Sequence, residues 1–228
     1  MERRDFMALG ATAVATTLYG GENTTLSTPK SVDRLGVTPK GLRFDPKKLS
    51  GISEKMILSH HQNNYAGAVK RANAIGEKIA ALPSNAQPFE LGSLKREEMV
   101  ALNSMILHEY YFDALGSGGT MGEKLRKGLE QSFGSVTEWE NSFKKTALSL
   151  GGGSGWVLLV YNRRLGRLEN VWSWDHLHGL WDSEIILALD MYEHSYQMDF
   201  GANAKGYVDV FFTNINWDVV NKRYIQIK

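Results

Sequence analysis

The stretch Asp190-Met191-Tyr192-Glu193-His194-Ser195-Tyr196 runs directly out of an apolar segment, Ile185 to Leu189. Asp190 and His194 are four apart, so they share a face wherever this segment turns helical. A carboxylate at the end of a buried run needs a positive partner, because burying it alone costs several kcal/mol. A metal ion is one candidate; an Arg or Lys side chain is the other. The chain has six histidines: His60, His61, His108, His176, His178 and His194. His108 opens an HExxH-like string, but position 112 is Phe, so that zinc-protease motif fails. The string DMYEH lacks the first histidine of the inverted motif. His60 and His108 fall in two separate helical stretches, and Asp190 and His194 fall where a strand gives way to a helix. Three imidazoles and one carboxylate from such separated elements can close round one ion. Four protein donors with a fifth place open suit a redox metal better than structural zinc.

Composition narrows the chemistry further. There is no cysteine among the 228 residues, which excludes disulfides, thiolate zinc sites and iron–sulfur clusters. Any metal is therefore held by His and carboxylate. Lys plus Arg number 26 and Asp plus Glu 25, so no electrostatic case for nucleic acid exists. No apolar run reaches the roughly 20 residues of a membrane helix. The N-terminal string MERRDFMALGATAVATTLYGG carries Arg3-Arg4, then Phe6, then a weakly apolar stretch. It looks like a twin-arginine export signal, which predicts a periplasmic or secreted protein carried across folded. A basic tail without fold is the alternative.

The elements that would position these residues follow from periodicity. Ser53 to Leu82 has the helical pattern Met56, Ile57, Tyr65, Val69, Ala72, Ile75, Ile79, and Pro83 ends it. A second helix is expected over about 96–115, closed by Gly116-Ser117-Gly118-Gly119. Helices are expected over 123–133 and 136–150, strands over 156–161, 168–174 and 185–189, and two last helices over 193–200 and 207–224. Strands joined by a short turn favour an antiparallel sheet. The predicted class is α+β. The predicted organisation is a leader over 1–38, a helical hairpin over 39–118, and a domain of a three-stranded antiparallel sheet with helices over 119–228.

Four segments in order carry a family resemblance. DMYEHSYQMDF with the following YVDVFFTNINW is similar to a D-x-W-E-H-A-Y-Y signature and the helix after it. GSGW at Gly153 to Trp156 matches a second signature. SHHQNNYAGAV at Ser59 to Val69 resembles a first ligand helix, and LHEYYFDAL at Leu107 to Leu115 a second. Together they resemble the iron/manganese superoxide dismutases over about 41–224. The resemblance implies His60, His108, Asp190 and His194 as ligands of one trigonal bipyramidal iron or manganese with a solvent molecule in the fifth place. It implies superoxide as substrate, and dioxygen and hydrogen peroxide as products. Trp174-Asp175-His176 aligns with the family's D-H variant, which makes His176 the residue against the bound solvent and favours iron. Ser104, one turn before His108, is too short for the alternative arrangement. His178 reads as a surface histidine. Trp156 and Tyr111 fit the family's aromatic wall, with Trp172, Trp174 and Trp181 as further candidates. Glu193 implies a homodimer, since in the family this residue bonds the other subunit's ligand histidine.

The departures cluster at the channel mouth. The family's His is Asn64 here and its Tyr is Ala68; the second signature Tyr is Gln197, so a His–Tyr bridge between subunits would become an Asn–Gln bridge. The channel arginine falls on Ala204, beside Lys205. Tyr65, five residues past His60, is expected to point roughly 140° away from it on an α-helix. These changes keep open a second reading: a superoxide-dismutase-like metal protein with little turnover. A third is a different redox or hydrolytic enzyme on the same ligand set.

Overall fold

The computed structural model describes residues 35–227. The export-signal reading falls on Arg3, Arg4 and their neighbours and lies outside the described residues. Ser53 accepts a hydrogen bond from the Met56 N–H and starts helix α1 (Glu54–Ser59), a cap typically worth about 1 kcal/mol. The helical path continues through a π-helical turn (His60–Tyr65) into α2 (Ala66–Ala80). Helix α3 (Pro88–Asp113) returns along α2. It starts a good two turns before the expected position. Pro88 opens it, and Gln87 and Glu90 form a capping box. Its first turns are solvated, with Phe89 and Leu91 exposed, so they carry no apolar period to read.

Helices α4 (Glu123–Phe133) and α5 (Val136–Leu148) lead to the sheet. Strands β1 (Trp156–Asn162), β2 (Arg167–Ser173) and β3 (Ser183–Asp190) are antiparallel in the order β2-β1-β3. The register sets Trp156, the first residue of β1, opposite both Asp190 and Ser173. Just before it, Gly155 has φ of 142° and its carbonyl accepts from the Met191 N–H. A Cβ there would meet the Ser173 carbonyl oxygen at 2.3 Å, so only glycine fits.

After β3 come a 3-10 turn (Glu193–Ser195) and α6 (Gln197–Phe200), α7 (Ala204–Thr213) and α8 (Trp217–Ile225). The single helix expected over 207–224 is thus two. Asn214 breaks it: its side chain bonds both the N–H and the carbonyl of Ser50, and its own carbonyl takes the N–H groups of Gly116 and Ser117. Asn216 then caps α8. Short amides compete with the helical backbone for hydrogen bonds, and here they win. The class is α+β as expected, with one main apolar core joining α1, α3, the sheet and α7. Among the described residues, no helix is long and apolar enough to cross a membrane.

Candidate metal centre

The end of β3 delivers Asp190 into the core with no exposure. The Tyr192 N–H donates to its Oδ1 at 2.8 Å. That fixes the carboxylate and leaves Oδ2 facing three imidazole nitrogens. His60 Nε2 lies 3.1 Å from Oδ2, His194 Nε2 3.3 Å and His108 Nε2 3.6 Å. One donor atom from each of the four residues falls within 4.8 Å of all the others. The side chains meeting the carboxylate are histidines; no Arg or Lys takes that place among the described residues.

Each imidazole is set by its own element. His60 stands at the head of the π-turn and is buried. His108 sits on α3, and its Nδ1–H donates to the Ser104 carbonyl at 2.6 Å. This fixes the tautomer and leaves Nε2 as a bare lone pair. That Nε2 is buried and has no hydrogen-bond partner, and neither has His60 Nδ1. An orphaned lone pair aimed at a carboxylate oxygen is a cost in a core, and a cation between them removes it. His194 comes from the 3-10 turn and is partly open to solvent.

The electrostatics agree. Burial pushes the His60 imidazole down, and it pushes His108 down to about 3. Both are therefore neutral, the form that ligates. Burial alone would raise Asp190, but hydrogen bonds from His194 and His60 hold it well below the usual carboxylate range. An ionised carboxylate beside the neutral imidazoles of His60 and His108 is a set that fits a divalent or trivalent ion.

Around this set stand the other expected residues. Trp156 packs edge-on against His108 at 5.1 Å between centroids, and its Nε1–H donates to His176 Nδ1 at 3.0 Å. An indole only donates, so His176 accepts at Nδ1 and carries its proton on Nε2. Burial lowers the His176 pKa, keeping the ring neutral. Asn103 Nδ2 holds the His176 carbonyl at 2.6 Å. Tyr111 is fully buried 5.2 Å from the His60 ring, and its hydroxyl accepts from Tyr207 at 3.1 Å. Burial pushes the phenol of Tyr111 far up. Glu193 and Gln197 are exposed beside His194, and Asn64 is half-buried.

Several finer expectations change. Trp172, Trp174 and Trp181 do not wall the site; all are exposed, the last at 91%. The neighbour that was not anticipated is Tyr192, whose ring stacks on His176 at 4.8 Å and on His194 at 5.3 Å. Tyr207 and Phe112 were missed too; Phe112 lies 4.9 Å from the His60 ring. Tyr65 does not swing away from the site. The π-turn spends more residues per turn than an α-helix, and Tyr65 ends buried 6.3 Å from the His108 ring, its hydroxyl donating to Glu109. His61 turns outward and bonds the Lys40 carbonyl. His178 bonds Asp175 and Trp174 on the loop, away from the donor set.

A helical hairpin giving two histidines, the end of β3 giving an aspartate and the 3-10 turn after it a third histidine make the His₃Asp donor set of a mononuclear metal site. Residues 121–223 match the family described as iron/manganese superoxide dismutases, C-terminal domain. The superoxide dismutase [Fe] of Cupriavidus metallidurans is 54% identical over 186 residues, covering 81% of this chain and 94% of that protein. The superoxide dismutase [Fe] of Aquifex aeolicus is 34% identical over 82% of this chain and 91% of its own length. The superoxide dismutase [Mn] 2 of Haloferax volcanii is 35% identical over 77% and 88%. The chain belongs to the iron/manganese superoxide dismutases.

Proposed function

We propose that this protein is a superoxide dismutase that turns two superoxide ions and two protons into dioxygen and hydrogen peroxide. The observation that carries it is the convergence of three imidazole Nε2 atoms on Asp190 Oδ2 in a chain of this family. His60, His108, Asp190 and His194 are the ligands, for one iron or manganese per chain. Iron is favoured, since the relative at 54% identity is named for it. An iron or manganese held by these four residues would supply the one-electron couple that the two half-reactions need.

The chain's own residues do the rest. Asp190, fixed through Oδ1, and His108, fixed through Nδ1, hold their donor atoms ready. His176, with its proton on Nε2, would donate to a solvent molecule held beside the ligands. Trp156 locks that tautomer. Trp156 and the Tyr111–Tyr207 pair exclude bulk water and so strengthen every dipole inside.

The finer parts of the proposal rest on sequence and exposure. Glu193 reaches the ligand histidine of a second copy, and Asn64 and Gln197 meet across the same interface, making a homodimer. Arg3-Arg4 directs export to the periplasm or beyond. The hairpin of 39–118 and the domain of 119–228 each bring two ligands. The substitutions at Asn64 and Ala68 favour one rival, a metal-binding relative with little turnover. Metal content and dismutation rate of the purified protein decide between them. About one iron or manganese per chain with fast turnover is expected; bound metal without turnover would replace this reading with the rival.

A further inference from the structure

A pocket of about 300 Å³ opens between α2 and α3, and His176 and Ser104 line it together with residues of its mouth. Both abut a ligand: the His176 ring centroid is 6.4 Å from that of His108, and the Ser104 carbonyl takes the His108 Nδ1–H. The walls include the small residues Gly67, Ala68 and Ala101. Among the residues lining it, Arg71 is the one permanent charge. The Arg71 guanidinium is paired with Glu97, and Glu97 also takes Arg96 Nη1 at 2.9 Å. Two guanidiniums share one carboxylate, so the cluster at the mouth keeps a net positive charge. The cation next to the expected arginine sits in a balanced cluster: Lys205 and Lys144 share Asp209, and Lys144 also holds Glu140.

We propose that Arg71 is the residue that steers superoxide into the site through this pocket, replacing the steering charge absent at Ala204. The inference rests on the dismutase reading above. The substrate is a small monovalent anion, and a cation at the mouth of a concave pocket raises its local concentration and its on-rate. The Glu97 partner tempers that charge. The 58% exposure of the Arg71 side chain lets salt reach it.

The test uses the metal-loaded full chain, with dismutation rates taken from about 10 mM to about 300 mM ionic strength. Azide, a small anion, is titrated in parallel against the ferric protein. Arg71→Ala is expected to lower kcat/KM roughly 3- to 5-fold at low ionic strength, with the deficit closing as salt rises. Arg71→Lys should restore most of the rate. Glu97→Gln should raise the low-salt rate and tighten azide, and it tests the proposal independently if Arg71→Ala folds poorly. A rate for Arg71→Ala equal to the parent's at low salt overturns the proposal, as does a deficit that stays constant across the salt range. If the parent shows no turnover, the dismutase reading fails. Azide affinity that weakens in Arg71→Ala and tightens in Glu97→Gln would still support Arg71 as the steering charge.

Discussion

Trp156 donates a hydrogen bond and cannot accept one, and that asymmetry decides the state of His176. With Nδ1 taken by the indole at 3.0 Å, the neutral ring keeps its proton on Nε2. Trp156→Phe keeps the wall and removes the lock. The rate should fall about 10-fold with metal content unchanged, the usual loss when a group orienting the site is removed. His176→Ala removes the donor itself and should cost about 100-fold. A Trp156→Phe variant with parental turnover would show that the tautomer is set by something else. At this scale the sequence was highly informative. All four donors were legible from residue type and family motif, because ligand chemistry tolerates few substitutes. The orienting contacts were not, because Ser104 and Asn103 act through a backbone carbonyl and an amide that no motif marks.

Elements place these residues by devices that periodicity does not display. The π-turn at His60–Tyr65 looks like ordinary helix in sequence, yet it decides where Tyr65 points. Capping by Pro88 and Gln87 extends α3 over solvated turns with no apolar stripe. Asn214 and Asn216 cut one apolar period into α7 and α8 through contacts with Ser50 and Gly116, both remote in sequence. Local patterns report burial, and these three features are set by hydrogen bonds instead. Gly155 is a further element-scale device beside the donor set. It turns the chain into β1 so that Trp156 lies opposite Asp190, and it holds Met191 through its carbonyl. Gly155→Ala forces a Cβ to 2.3 Å from the Ser173 carbonyl at a φ that side chains avoid. Thermal unfolding should show a loss of at least about 2 kcal/mol, with weaker metal retention. A neutral outcome would mean that the β1–β2 corner relaxes freely.

At the scale of the whole molecule, a bound ion would join two halves of the donor set. His60 and His108 arrive from the helical hairpin, Asp190 from the end of β3 and His194 from the 3-10 turn after it. Without a cation, the buried His108 Nε2 and His60 Nδ1 have no partner. The folded state then carries a desolvation cost that the unfolded chain does not. Metal bound only by the folded chain stabilises it by mass action, about 4 kcal/mol at a thousandfold excess over Kd. For a chain of this size that corresponds to roughly 10 °C in Tm. Stripping the metal with a chelator should lower Tm by about that much, and readdition of iron or manganese should restore it. Asp190→Asn separates the two contributions. It removes the ionised carboxylate that His60 and His194 hold low, so the metal-free variant should melt below metal-free parent, and it should gain far less on adding metal. If stripped parent and loaded parent melt together, the cluster is held by packing alone, and the ion contributes chemistry without fastening the hairpin to the sheet.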